Sequence, residues 1–298
     1  VYIFYQTAFF NPGSVSGADV TMTGSGTSNS FGYSLITSDF NLDGKVDLAV
    51  SAYQYSTTTG RVYIFYNDGS YPTTAATADV TLTGPATSSN FGLSIGTGDI
   101  NADGRQDLIV GASGVSSSAG QAYIYEGRDN YSWTLQNQAV GTSRISVAGV
   151  GEELAITGSA TTDYFGISIT TGDLNTDGKM DLVVSSENNV SSIGRVYVFY
   201  NDGSYSPRAD GADVVIGDTT SQRFGHKVAT GDLNADGKTD LVVGAYAYST
   251  STGHVYIFYN DGVYPSLAAN ADVILTGETS SNYFGNSFSV GAHTERIA

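Results

Sequence analysis

The stretch DFNLDGKVDLAV, residues 39–50, sets Asp39, Asn41, Asp43 and Asp47 within nine positions and then turns into an apolar run. Carboxylates this close repel one another. Either a cation lies among them, or the segment is a polar hairpin turn whose side chains cap their own backbone. The rest of the chain separates these readings. The pattern D-x-N-x-D-G-x-x-D returns as DINADGRQD from residue 99, DLNTDGKMD from 173 and DLNADGKTD from 232. The positions between the oxygens vary, while those at one, three, five and nine stay. A turn needs only DG or NG, so keeping the full set four times argues for cation ligands.

The spacing has a chemical logic. Side-chain oxygens at one, three, five and nine, with a backbone carbonyl at seven, suit a hard cation such as Ca²⁺, and Gly at six permits the bend. The expected ligands are Asp39, Asn41, Asp43, Lys45 (carbonyl) and Asp47; Asp99, Asn101, Asp103, Arg105 (carbonyl) and Asp107; Asp173, Asn175, Asp177, Lys179 (carbonyl) and Asp181; and Asp232, Asn234, Asp236, Lys238 (carbonyl) and Asp240. About four Ca²⁺ ions are implied. The loops differ from an EF-hand, since the twelfth-position Glu and the flanking helices are missing. They hold twelve of the 29 acidic residues, and four divalent cations would move the formal charge from -17 to -9.

Three further markers keep step with the loops. FG recurs at Phe31, Phe91, Phe165, Phe224 and Phe284, at intervals of 60, 74, 59 and 60 residues. VYIFY starts at Val1, Val62 and Val255, with close variants at Ala122 and Val196, and ADVTLTG-like segments start at 18, 78, 212 and 271, with ELAITG at 153. Periods of this size mean an array, a solenoid or a propeller. Each repeat reads as four strands: one after FG, one after the acidic loop, then VYIFY, then ADVTLTG. VYIFY is apolar on both sides, so each sheet is covered on both faces, which fits the blades of an all-β propeller of four-stranded antiparallel sheets.

The ends fall mid-repeat. Partial repeats at 1–30 and 284–298 flank repeats starting at 31, 91, 165 and 224, in what reads as one domain over 1–298. The chain is either a slice of a larger ring, for instance seven-bladed, or a five-bladed ring with one defective blade. Starting on VYIFYQ without Met, it looks processed or partial. An excess of 14 residues falls in the insertion 126–152, which carries the only Trp, Trp133, and reads as a tolerated loop.

Composition narrows the partners. Charged residues are 14% of the chain, and a net charge of -17 argues against nucleic acid and anionic membranes. No run of about 20 apolar residues exists, so no direct membrane insertion is expected. Without Cys, no disulfide holds the fold.

FG, the D-x-N-x-D-G-x-x-D loop, DLVVGA and G-x-VYIFY together resemble the FG-GAP repeats of the integrin α-subunit propeller. The resemblance covers nearly the whole chain. It implies calcium in the loops between strands one and two, and an extracellular or cell-surface protein of adhesion or ligand recognition. The chain departs from the family in lacking Cys and in having SAY, GAS, SSE and GAY after strand two, where Gly-Ala-Pro is frequent. That favours a microbial or otherwise distant surface protein.

No catalytic motif is evident. His226, His254 and His293 lie in different phases of the repeat, and G-x-S-x-G, P-loop and H-E-x-x-H are missing. A non-catalytic recognition protein is expected; the alternatives are a carbohydrate-binding lectin and the scaffold of a secreted hydrolase. The protein or glycan partner is expected on the face opposite the calcium loops, where Tyr53, Tyr55, Tyr246 and Tyr248 stand among small polar residues. Asn130 and Asn189 fit glycosylation sequons.

Overall fold

A computed structural model describes residues 1–5, 14–127, 144–146, 152–188, 193–220 and 222–291. Trp133, Asn130, Asn189, His293 and most of the 126–152 insertion lie outside the described residues. The chain builds β1 (Tyr2–Ile3), β2 (Val20–Thr21), β3 (Leu35–Ser38), β4 (Asp47–Ala52), β5 (Arg61–Phe65), β6 (Val80–Thr83), β7 (Phe91–Gly98), β8 (Asp107–Ala112), β9 (Gln121–Tyr125), β10 (Arg144–Ser146), β11 (Glu152–Thr157), β12 (Ile169–Gly172), β13 (Asp181–Ser186), β14 (Arg195–Phe199), β15 (Val214–Gly217), β16 (Lys227–Gly231), β17 (Asp240–Ala245), β18 (His254–Phe258) and β19 (Val273–Thr276).

These strands form separate antiparallel sheets, the blades of a β-propeller. Blade one is β3–β4–β5–β6, blade three is β12–β13–β14–β15 and blade four is β16–β17–β18–β19; β1 and β2 form a two-stranded sheet ahead of them. Blade two departs from the four-strand expectation. Its order is β10–β11–β9–β8–β7, because the insertion contributes β10, which pairs with β11. A segment read as a plain loop thus adds an edge strand.

The second strand of every full blade, from Asp47, Asp107, Asp181 and Asp240, is buried at all six positions. Covered on both faces, it has no need of polar alternation. The core lies between blades. Val62, Ile64 and Leu82 of blade one share a cluster with Phe91, Leu108 and Tyr123 of blade two. Ile109 and Ile156 of blade two meet Leu182 and Tyr197 of blade three, and Val183 and Ile216 of blade three meet Leu241 and Val243 of blade four.

The FG marker belongs to these seams. Phe91, Phe165 and Phe224 are fully buried. Each ring stands edge-on to a Tyr of its own third strand, with centroids 5.7, 5.4 and 5.3 Å apart for Tyr123, Tyr197 and Tyr256, a favoured aromatic geometry. The preceding blade approaches so closely that a Cβ on Gly60 or Gly120 would lie 2.0 or 2.1 Å from the carbonyl oxygen of Phe91 or Phe165. Inner strands are also tied by hydroxyls: Thr171 Oγ1 donates to Thr97 O at 2.7 Å and Thr230 Oγ1 to Thr171 O at 2.6 Å.

Candidate metal loops and the opposite face

The four acidic loops share one internal hydrogen-bond pattern. In the first, Asp39 Oδ1 and Asn41 Oδ1 both accept from the Asp43 N–H, at 3.1 and 3.0 Å, and Asp39 Oδ2 accepts from Gly44 at 2.9 Å. Asp43 Oδ1 accepts from the Lys45 N–H at 2.9 Å. The loops at Asp99, Asp173 and Asp232 repeat each bond within 0.1 Å. These are Asx-type turns, which is why Asp and Asn hold alternate positions. Gly44, Gly104, Gly178 and Gly237 have φ between +81 and +86°, with nothing within 4 Å of a notional Cβ. The constraint there is backbone conformation, not space.

The position-nine carboxylates play a second part. Asp47, Asp107, Asp181 and Asp240 are fully buried. One oxygen of each accepts from the second residue of its loop (Phe40, Ile100, Leu174 or Leu233) at 2.8–2.9 Å. The other accepts from the residue that leaves strand three (Asn67, Gly127, Asn201 or Asn260), also at 2.8–2.9 Å. Each therefore pins the one-to-two loop to the three-to-four loop. Burial raises the carboxyls of Asp47 and Asp181, and pushes Asp107 up to about 7 despite its two donors, with Asp103 and Asp99 adding to the rise. Asp43, in contrast, is held below the usual carboxylate range, chiefly by the Lys45 N–H.

The outer oxygen of position five differs between loops. Asp43 Oδ2 takes the Lys45 ammonium at 3.2 Å, whereas Asp103 Oδ2 and Asp236 Oδ2 take the amides of Asn101 and Asn234 at 3.3 and 3.2 Å. The inner oxygens are fixed by the turn, and this one takes whichever donor is near. Among the described residues, no three or more Asp, Glu, His or Cys side chains converge as a ready metal cage. The side-chain oxygens are turned onto the loop's own N–H groups, each with lone-pair capacity left. An all-oxygen donor set, crowded carboxylates and a position-nine Asp raised by burial, with neighbouring carboxylates adding to the rise, fit a hard divalent cation.

The opposite face is built from backbone strain. Ser56–Thr57–Thr58, Ser116–Ser117–Ser118 and Ser249–Thr250–Ser251 are single left-handed turns with φ from 42 to 63°. Their carbonyls accept N–H groups from the stretch before the next FG: Thr57 O from Ser88, Thr58 O from Asn90, Ser118 O from Tyr164 and Ser251 O from Tyr283. The hydroxyls bond locally too, Thr57 Oγ1 to Ser56 O and Thr59 Oγ1 to Ser56 O. The Ser/Thr runs thus carry a structural role.

The four expected ligand-face tyrosines divide. All are half-buried. Tyr55 lies under the Arg61 guanidinium, 3.6 Å from its ring centroid, and Tyr248 stacks on His254 at 3.4 Å. Both are occupied by their own blades. Tyr53 instead meets Tyr33, with centroids 4.5 Å apart, and Tyr246 meets His226, also at 4.5 Å. Around Tyr246 the structure gathers residues the sequence reading passed over. Glu187 Oε1 accepts from Arg223 Nη1 at 2.8 Å, and Glu187 Oε2 lies 2.6 Å from His226 Nδ1. Departure from the repeat was the available signal: Glu187 stands where other blades have Tyr53, Ser113 and Tyr246.

Comparison with known proteins agrees with this architecture. The FG-GAP repeat family matches residues 31–65, 91–125, 165–199 and 224–258. Integrin alpha-5 of Xenopus laevis is 31% identical over 180 residues, 57% of this chain and 15% of that protein. Phosphatidylinositol-glycan-specific phospholipase D of Dictyostelium discoideum is 29% identical over 219 residues, 66% of this chain and 23% of that protein. The chain thus spans less than a quarter of either relative. Among solved structures, the V. cholerae biofilm matrix protein Bap1 aligns with 76% of this chain and 37% of that one, at 13% identity and a TM-score of 0.28. No helix among the described residues is long and apolar enough to cross a membrane. With its four matched repeats, blade architecture and integrin relatives, the chain belongs to the integrin α-like FG-GAP repeat family.

Proposed function

We propose that residues 1–298 form a calcium-stabilised, non-catalytic recognition domain of an extracellular or cell-surface protein. Its partner, a protein or a glycan, binds the face opposite the acidic loops. The observation that carries this reading is the loop geometry, in which four copies hold oxygens at the same positions with the same backbone donors. Asp39, Asn41, Asp43 and Asp47 and their counterparts would hold the ion, with the carbonyls of Lys45, Arg105, Lys179 and Lys238. Bound calcium would supply the positive charge that the crowded carboxylates lack. The protein's own contribution is orientation: the Asx turns aim the oxygens, and the buried position-nine Asp fixes loop to blade.

The test is thermal melting with calcium and with a chelator. Extracellular sites often bind near 10⁻⁴ M, so at roughly 1 mM Ca²⁺ four sites add about 6 kcal/mol. For a chain of this size the midpoint should rise by roughly 10–20 °C. An unchanged midpoint would defeat the reading. A second reading, the scaffold of a secreted hydrolase, draws on the match to the phospholipase D. A longer gene product that releases phosphatidic acid from a glycosylphosphatidylinositol substrate, where the purified chain alone does not, would favour it.

A further inference from the structure

The strongest departure from the repeat lies at the seam between blades three and four. Glu187 follows β13, Arg223 and His226 flank the FG before β16, and Tyr246 follows β17. All four therefore lie on the face away from the acidic loops. At the Arg223 position the other repeats carry Ser30, Asn90, Tyr164 and Tyr283, and at the His226 position Tyr33, Leu93, Ile167 and Asn286. The backbone before each FG is left-handed, with φ of 53° at Arg223. Ser, Asn and Tyr adopt the same conformation in the other repeats, so Arg223 is set apart by its charge and not by its backbone.

The cluster is a fixed guanidinium donor and an oriented imidazole beside aromatic rings. Glu187 is largely buried, its side chain 11% exposed, and both its oxygens are engaged, whereas Arg223 and His226 are 37 and 26% exposed. Arg223's other N–H groups and His226 Nε2 have no partner among the described residues. Tyr246 stands 4.5 Å from the His226 ring and 6.0 Å from the Arg223 guanidinium carbon. Tyr283, half exposed, lies 6.0 Å from Tyr246 at a 42° tilt. Across the face, the charge of Glu187 contributes to raising the Tyr33 phenol, behind burial and Tyr53.

Charge selects the ligand class. Glu187 and Arg223 cancel, and a chain of net charge -17 repels anions. The one carboxylate of the cluster is already doubly engaged, which leaves little for a cation. What remains is a planar guanidinium donor, an imidazole acceptor and flat rings with polar tips, suited to a neutral polar ring whose hydroxyls both donate and accept. We propose that the Glu187–Arg223–His226–Tyr246 cluster, with Tyr283, is a binding subsite for a neutral, polyhydroxylated sugar ring. Arg223 donates to sugar oxygens, His226 Nε2 accepts from a sugar hydroxyl while its Nδ1–H donates to Glu187, Tyr246 or Tyr283 stacks on the apolar face of the sugar, and Glu187 holds both side chains in place. This rests on reading that face as the recognition face.

The calcium-loaded chain is titrated with lactose, cellobiose, mannobiose and N,N′-diacetylchitobiose by saturation-transfer NMR and calorimetry. At least one should bind, with Kd on the order of 1 mM. Arg223→Ala and Tyr246→Ala should each weaken it by about tenfold or more. Glu187→Gln, which keeps size and releases the donors, should weaken it by a similar factor, and Tyr248→Ala should leave it within about twofold. A cooperative thermal melt of each variant shows that it folds, and Tyr246→Phe provides a milder change where Tyr246→Ala does not. No binding of any of the four sugars up to about ten times the expected Kd overturns the inference. Binding that ignores all the cluster variants, or sialyllactose binding more tightly than lactose, also overturns it. If calcium still stabilises such a chain, the calcium reading survives. A chain that ignores calcium yet binds sugar at this seam upholds the inference and overturns the calcium reading.

Discussion

The Tyr205 hydroxyl, in the three-to-four loop of blade three, donates to the carbonyl of Ile100, in the acidic loop of blade two, at 2.7 Å across 105 positions of sequence. Burial raises that phenol, and Asp181 and Asp107, the position-nine carboxylates of both loops, add to the rise. Tyr205 thus sits between two neighbouring acidic loops. Tyr264 has the corresponding position in blade four, but its hydroxyl makes only a long bond, 3.4 Å, to Thr239 O. Tyr205→Phe should lower stability by about 1 kcal/mol, and Tyr264→Phe by clearly less. Paired denaturant melts check this; equal losses would contradict the seam role of Tyr205.

Positions five and nine of a loop should separate by mutation. Asp181→Asn puts an NH₂ group against one of two backbone donors in a buried site, at a cost of about 1–3 kcal/mol. That loss should persist in chelator. Asp177→Asn acts at an exposed position, and its effect should show only when calcium is present. Asp43→Ala should lower the bound calcium count by one and leave the blades folded. Elemental analysis of the desalted variants checks the counts, and a wild-type count in Asp43→Ala would refute the ligand assignment.

Two glycines should differ in kind. Gly104 has φ +86° and open space around it, so Gly104→Ala should cost about 1 kcal/mol. At Gly120, with φ +81°, a Cβ would meet backbone of the next blade. Gly120→Ala should therefore cost several kcal/mol, on the order of 3 or more. Similar midpoints for the two variants would deny the tight seam.

His254 is buried against Tyr248, and that burial lowers its pKa below the ordinary value. The unfolded chain then binds a proton that the folded chain resists, so His254 contributes stability at neutral pH that is lost as pH falls below the ordinary His range. His254→Gln should reduce the difference in melting midpoint between pH 7.5 and pH 5. An identical pH dependence in both proteins would remove His254 from the account.

The acidic loops were legible because their chemistry is local. Their internal bonds join groups at most five residues apart, except at position nine, and a short-range pattern repeated in sequence is visible there. The blades were legible for a related reason, since strands buried on both faces lose polar alternation. Glu187, Arg223 and His226 were harder to find. Their partners lie 36 and 39 residues apart, across a blade seam, and no motif encodes that distance. Tyr55 and Tyr248 were read as partner-facing from composition. Their neighbours Arg61 and His254 stand at the start of strand three in equivalent positions, so a cross-repeat comparison could have paired them. The strand at Arg144–Ser146 has only RIS to mark it within an insertion.

The threonine hydroxyls between inner strands constrain how this molecule can move. Thr171 reaches the backbone of blade two and Thr230 that of blade three, each from the same position of its repeat, two residues before the first Asp of the acidic loop. A blade that slid along the axis by one residue would break its hydroxyl contact and turn alternate side chains to the wrong side. A blade that tilted about that contact would break others at both ends of the same seam: Tyr205 to Ile100 beside the acidic loops, and the Tyr164 N–H to Ser118 O at the opposite rim. Blades two and three are therefore tied at the loops, along the inner strands and at the turns, and the pair moves as one body.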